Sequence, residues 1–253
     1  MNCIRCGDEL VDGALQCVSC GKWNTLPASS AIEHKRSLLR DVKAIDQERL
    51  KSGPWDKIFG GGLFLTSVSI LGGEPGAGKS TLLLQIAGAV AKSSGKVVLY
   101  LATEEEESQI KERADRLRIP AQERIVIVNG MGGLDVERLL TEEKPVITFL
   151  DSMAGFTGEG SMESESLGIA SALKAYAAKH KSPALITNHI TKEADFAGYM
   201  SLQHAVDALF GFLVETSDTR LLIVKKNRHG AANLQLRFDM TERGLVVSED
   251  QEE

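Results

Sequence analysis

The sequence predicts an α/β fold with a mostly parallel central sheet, preceded by a small metal-held module. Three observations carry this expectation. Short apolar runs (Val68 to Leu71, then "KVVLYLA", "PVITFL" and "PALIT") alternate with stretches of helical composition, the pattern of a parallel sheet with crossover helices. The first of these runs passes directly into a glycine-rich loop and then a helix. All four cysteines fall within the first twenty residues.

Composition sets the outer bounds. A chain of 253 residues has room for one large α/β domain and one small module. Its apolar fraction of 43% and charged fraction of 25% are those of an ordinary globular protein. No apolar stretch approaches the ~20 residues that span a bilayer, and "MNCIRCGDEL" lacks the apolar core of a signal peptide. A cytoplasmic protein without membrane contact is expected. The net charge of −6 excludes a broadly basic nucleic-acid-binding face, so any such contact must be local.

Cys3, Cys6, Cys17 and Cys20 form two C-x2-C hooks, each followed by glycine (Gly7, Gly21). Paired hooks let four thiolates converge on one tetrahedral Zn2+. The ten residues between the hooks are too few to make a core, so metal must hold the module together. Its Lys22 and Trp23 offer a surface for a partner or for nucleic acid. The expected organisation is a zinc ribbon over 1–26, a linker over 27–53 with a short helix near Leu38 to Leu50, and the α/β domain over 54–253.

The nucleotide site is the most specific feature. "GGEPGAGKST" places Gly73, Glu74, Pro75, Gly76, Ala77, Gly78, Lys79, Ser80 and Thr81 between strand and helix, as G-x-x-x-x-G-K-S. Glycines let backbone N–H groups wrap phosphates at the positive helix end. Lys79 reaches the terminal phosphates of ATP, and Ser80 ligates Mg2+. Asp151, closing "PVITFLD", is expected to hold the Mg2+ shell. Glu104 and Glu105, leaving the tip of "KVVLYLAT", are candidates to polarise the attacking water, while Glu106 and Glu107 suit a helix start. His189, ending "PALITNH", is expected as a γ-phosphate sensor. Arg113 and Arg116, one turn apart, are candidates to stack on the base.

Beyond His189, "AVDALFGFLVE", "RLLIVKKNR" and "ANLQLRFDM" come in succession with short turns, extending the sheet with a β-rich edge. The chain here resembles the bacterial RadA (Sms) branch of the RecA-like ATPases. "CVSCGKWNTL", "FGGGL", "GGEPGAGKSTLLLQ", "EESQIKERADRLRI", "NHITKEADFAGYMSLQHAVD" and "KNRHG" match that family's segments in one order. The resemblance implies a RecA-like fold and trans-acting cations, Lys226 and Arg228, that reach ATP bound to a neighbouring subunit. It implies a homo-oligomeric ring, expected as a hexamer, or a filament. A second expected pore loop, 191–203, offers Lys192 with Phe196 and Tyr199 as DNA-binding candidates, since a cation beside aromatics suits stacked single-stranded bases; packing of the two rings in the core is the equal alternative.

Two departures stand out. His229 replaces the family's phenylalanine in K-N-R-F-G. The family carries a Lon-protease-like domain after the ATPase, which this chain is expected to lack. The expected function is DNA-stimulated ATP hydrolysis during recombination or repair, on single-stranded or branched DNA, with recombination or replication proteins as partners. Three alternatives are a KaiC-like regulatory ATPase that binds only proteins, a DnaB-like hexameric helicase, and a loader whose zinc ribbon carries the specificity.

Overall fold

The computed structural model describes residues 3, 6, 8, 17–20, 38–41, 48–130, 135–156, 162–189 and 200–248. The chain divides into two compact units, residues 1–46 and 47–253. Within the first, the described residues are the cysteine cluster and a 3-10 turn at Leu39–Asp41. The helix expected over Leu38 to Leu50 is not what forms at its ends: Arg49–Leu50 is a strand, paired with Leu63–Phe64. Spacing alone did not reveal that non-local partner. Residues 42–47 lie outside the described set.

The second unit opens with β1 (Arg49–Leu50), antiparallel to β2 (Leu63–Phe64). Next come β3 (Val68–Gly73), α1 (Lys79–Ser94), β4 (Val98–Ala102), α2 (Glu107–Arg116), β5 (Ile125–Asn129) and α3 (Val136–Glu143). The chain continues through β6 (Ile147–Asp151), α4 (Met162–His180), β7 (Ala184–His189), α5 (Met200–Ala205), β8 (Ala208–Val214), β9 (Thr219–Asn227), β10 (Gln235–Thr241) and β11 (Gly244–Val247). Among the described residues the main sheet has nine strands in the order β11-β10-β9-β8-β3-β7-β6-β4-β5. From β8 to β5 every neighbour is parallel; β9, β10 and β11 are antiparallel.

Strand alternation divides the core into two layers. On one face Leu71, Val98, Tyr100 and Phe149 pack with α1, α2 and Trp55. On the other, Val68, Ile70, Leu99, Leu101 and Leu150 pack with α3, α4 and α5. Both faces of the parallel strands are therefore covered, which is why they read as continuous apolar runs. No helix among the described residues is long and apolar enough to cross a membrane.

Helix α1 is held close to the loop before β5. A Cβ added at Gly88 would lie 2.6 Å from Ile119 Cγ2 and 2.9 Å from Pro120 Cδ, well inside van der Waals contact. Gly88→Ala is therefore expected to destabilise the unit by about 1–3 kcal/mol in urea titration. An unchanged midpoint would show that the loop yields to the added methyl group.

Candidate functional site

The parallel strands all end at one edge of the sheet, where loops and helix N-termini gather. Strand β3 ends at Gly73, and its register places Gly73 beside His189 on β7 and Phe212 on β8. A Cβ at Gly73 would lie 2.5 Å from the Phe212 carbonyl oxygen and 3.2 Å from Lys79 Cδ. Only glycine leaves room for the lysine to fold back over the loop. Gly78, the N-cap of α1, has φ +99°, a left-handed conformation that glycine supplies without strain. Below the loop, Arg220 on β9 donates from Nε to the Ala77 carbonyl at 3.0 Å. Arg220 is buried and supports the loop from behind.

A cleft of about 390 Å³ opens above this loop. It is lined by Pro75, Gly76, Gly78 to Thr81, and by Glu104, Glu105, Arg113, Arg116, Asp151 and Ser152. Of the residues expected at a nucleotide site, Pro75, Gly76, Gly78 to Thr81, Glu104, Glu105, Asp151 and both arginines border one cavity, while Gly73, Glu74 and Ala77 are not in its wall. Lys79 is 7% exposed, and its ammonium donates to the carbonyls of Gly73 (2.8 Å) and Glu74 (2.9 Å). Burial lowers its pKa, while the Asp151 and Glu104 carboxylates oppose that shift.

Asp151 ends β6 and is 8% exposed. One carboxylate oxygen accepts from the Tyr100 hydroxyl (2.6 Å), the other from Thr187 Oγ1 (2.7 Å). Burial, followed by the Asp151 charge, pushes the Tyr100 pKa far up, so the phenol remains a donor. Each oxygen keeps a second lone pair for a metal's water shell. The Ser80 hydroxyl lies in the same cleft, so the hard-oxygen donor set fits Mg2+.

The two glutamates separate into different environments. Glu105 accepts a forked pair of bonds from Arg113, Nη1 to Oε2 at 2.6 Å and Nη2 to Oε1 at 2.5 Å. That bonding raises the Arg113 pKa and fixes both side chains. Glu104 instead accepts from Ser152 Oγ at 2.5 Å, at the tip of β6. The Ser152 N–H is held by Thr103 Oγ1, and a Cβ at Gly155 would overlap that oxygen. Next along the chain, Glu106 caps α2, its N–H donating to Gln109 Oε1 at 3.1 Å. Arg116 donates to the Glu242 carbonyl at 3.1 Å.

Lys226 and Arg228 lie elsewhere. Strand β9 runs antiparallel to β8, so its C-terminal end is level with Ala208 at the start of β8. Gly73 is level with Phe212, four residues or roughly 13 Å further along the sheet. The β8–β9 register shifts between Leu209 and Phe210, with Lys225 as the extra residue on β9, a bulge that re-aims the strand end beyond it. Lys226 Nζ donates to the carbonyls of Gln203 (2.8 Å) and Val206 (2.7 Å), at the end of α5. Arg228 donates to Asp207 Oδ1 at 3.2 Å and to the His204 carbonyl at 3.4 Å. His229 stacks on Phe64 with ring centroids 3.8 Å apart.

In the first unit the four cysteine sulfurs lie within 4.8 Å of one another. The Cys3–Cys20 and Cys6–Cys17 pairs are 3.7 and 3.6 Å apart. Four ligands at a Zn–S distance of ~2.3 Å stand about 3.8 Å apart at the corners of a tetrahedron. The cluster therefore fits zinc. Although the Asp8 backbone lowers it, the Cys6 pKa is pushed up to about 12 by desolvation and the three other thiols. A divalent cation removes that conflict.

A family model described as an AAA domain matches residues 33–195, well over half of the chain. The chain belongs to the AAA domain family. Within these AAA-domain ATPases it is 35% identical over 270 residues to the DNA repair protein RadA of Treponema pallidum (strain Nichols). That match covers 98% of this chain and 58% of the relative's length. Among solved structures, the KaiC-like protein PH0186 of Pyrococcus horikoshii OT3 has a TM-score of 0.67 at 16% identity, covering 80% of this chain and all of that one. The RadB recombinase has a TM-score of 0.63 at 20% identity, covering 79% and 100% respectively. These two likenesses show the fold alone.

Sequence reasoning missed Tyr100, Thr187, Arg220 and Asp207. Each is a polar residue inside or at the end of an apolar strand run, the one signal that could have singled it out. Lys192, Phe196 and Tyr199, like Lys22 and Trp23, lie outside the described residues. For His189 the structure gives the backbone position beside Gly73.

Removing the Tyr100 hydroxyl would leave a buried carboxylate oxygen without its donor. Tyr100→Phe is expected to cost about 1–3 kcal/mol in chemical denaturation. Stability equal to the parent would show that Asp151 is not held this way.

Proposed function

We propose that this AAA-domain ATPase hydrolyses ATP at boundaries between its own subunits, in a ring or filament, and acts on single-stranded or branched DNA in recombination or repair. The observation that carries the proposal is the placement of Lys226 and Arg228. They lie at the opposite end of the sheet from the chain's own phosphate loop, so they serve hydrolysis only at a neighbour's ATP. Arg228 is half exposed, and the buried Asp207 keeps the Val68 N–H and Lys174 as partners when that pair opens. Arg228 can give up Asp207 for a phosphate.

The cleft supports the remaining roles. Lys79 and the loop N–H groups bind the β- and γ-phosphates, while Ser80 and Asp151 would hold Mg2+, which would supply charge neutralisation at the transferring group. Glu104 polarises the attacking water. Glu105 is committed to Arg113 and holds that guanidinium at the cleft wall. His189, in register with Gly73, is the candidate reporter of the γ-phosphate. Lys226 ties the finger strand to α5, which follows Lys192, Phe196 and Tyr199 in the sequence. The DNA class rests on the relationship to the DNA repair protein RadA, and the zinc-bound ribbon over 1–26 rests on the four clustered sulfurs.

Steady-state ATPase rate per subunit is expected to rise with protein concentration and to rise again with single-stranded DNA. Arg228→Ala should leave ATP affinity unchanged and lower turnover by about 10³, and Lys79→Ala should abolish nucleotide binding. Mixing the two variants should restore part of the activity, because each supplies what the other lacks. A concentration-independent rate with no rescue at any ratio would rule out inter-subunit hydrolysis. Assembly-dependent activity indifferent to DNA would rule out the DNA reading alone.

A further inference from the structure

The edge of the sheet farthest from the nucleotide carries a feature that ATP hydrolysis does not use. Helices α1, α3 and α4 all end there, and the three chain segments after them lead into adjacent strands β4, β6 and β7. Those segments are stitched side by side: Val146 N donates to the Val97 carbonyl (2.8 Å), Thr148 N to the Pro183 carbonyl (3.0 Å), and Ser182 Oγ to the Pro145 carbonyl (2.7 Å). Each begins with a lysine near its helix end: Lys96, Lys144 and Lys181. Neighbouring strands are about 4.8 Å apart, so the three lysines form a row across the sheet edge. Lys179, in the last turn of α4, adds a fourth cation.

The row borders two cavities of about 350 and 550 Å³ that share Lys96, Val146, His180 and Lys181 in their walls. They make an elongated groove. Its wall includes Tyr176, stacked on the exposed ring of His180 with centroids 4.3 Å apart. Among the described residues, the side chains of Lys96, Lys144 and Lys179 have no hydrogen-bonding or ionic partner. Lys181 pairs with Glu48 at 2.6 Å, the one acid among the lining residues.

A plainer explanation is that lysines complement the negative ends of helix dipoles. It accounts for Lys179. It does not account for Lys144 and Lys181, which sit in left-handed backbone with φ 46° and 54°. Glycine or asparagine is the usual occupant of that position after a helix, and side chains kept there against local preference point to function. Nor does a dipole require a groove with a stacked ring pair.

We propose that this groove is a second nucleic-acid site, binding single-stranded DNA or RNA through its phosphates and one or more stacked bases. Lysines act as point charges that hold a backbone without reading sequence, whereas carboxylates are best recognised by the planar fork of arginine. The one arginine in the groove wall, Arg49, donates to the carbonyls of Phe59 and Gly62. An exposed ring beside a row of cations is the arrangement that binds single strands. An acidic protein surface is the competing occupant.

The test is fluorescence anisotropy of a labelled oligothymidylate with the full chain, over a range of salt, for the parent and for a combined Lys96→Ala, Lys144→Gly, Lys179→Ala, Lys181→Gly variant. Affinity at low salt should fall by at least about tenfold, and the slope of log K against log salt should shrink by about 3, since each lysine contributes ~0.7 on a single strand. Glu48→Ala should instead tighten binding. Basal ATPase should be unchanged, and the thermal midpoint should not fall, because glycine relieves the left-handed positions. An unchanged affinity and slope would overturn the inference, as would competition by polyglutamate equal to that of the oligonucleotide. Loss of self-association with DNA affinity intact would assign the groove to a neighbouring subunit and overturn it too. If the parent itself fails to bind the oligonucleotide, the DNA part of the proposed function falls as well; if only the variant matches the parent, that function stands.

Discussion

The structure depends on the direction in which its strands run. Because β3 is flanked by parallel β7 and β8, everything that leaves a strand at its C-terminal end arrives at one edge: the phosphate loop, Glu104, Asp151 and the tip of β7. A lysine ammonium at 7% exposure is tolerable there only because two backbone carbonyls and two nearby carboxylates compensate its lost hydration. Asp151 is held for the same reason, by a phenol and a threonine hydroxyl from the two flanking strands β4 and β7. Polarity of the sheet gathers the charges, and hydrogen bonds across neighbouring strands offset their burial.

Reversal of direction at β9 produces the complementary result. An antiparallel hairpin returns the chain to the opposite edge, so Lys226 and Arg228 end far from their own phosphate loop. The bulge at Lys225 decides how they leave the strand. Asp207 sits where these strands meet, accepting from the Val68 N–H at 3.0 Å, from Lys174 at 3.2 Å and from Arg228. One buried carboxylate therefore ties β3, α4 and the finger strand together. That linkage connects the start of the strand carrying the phosphate loop to the residues assigned to a neighbour's site.

Much of the candidate site was legible because its parts are local. The phosphate loop declares itself by glycine and lysine spacing, and Asp151 and the glutamates by ending apolar runs. What local spacing does not encode is the partner. Glu104 and Glu105 are adjacent and chemically identical; they are distinguished by Arg113, eight residues beyond Glu105 on α2, and by Ser152 on another strand. Tyr100 looks like one more apolar strand residue until Asp151 is placed beside it. The strand at Arg49–Leu50 was read as helix because its partner, Leu63–Phe64, lies across a 3-10 turn. The row of Lys96, Lys144 and Lys181 is scattered in sequence and becomes a row only through the strand order β4-β6-β7.

That row also bears on how a chain of net charge −6 can meet a polyanion. Long-range attraction is weak for such a molecule, and at physiological salt fields fade over about 8 Å. Affinity must therefore come from cations concentrated within a Debye length of one another. Strand spacing of about 4.8 Å supplies that concentration without a basic surface. The cost of crowding like charges falls on the unliganded state and is relieved when phosphates arrive. Left-handed lysines at two helix ends make the same exchange in backbone terms: local conformational preference is given up to keep ammonium groups where the sheet edge aligns them. On the proposed reading, the fold separates the chain's own nucleotide, at the glycine-rich backbone of one edge, from a nucleic-acid strand held by side-chain charge at the other.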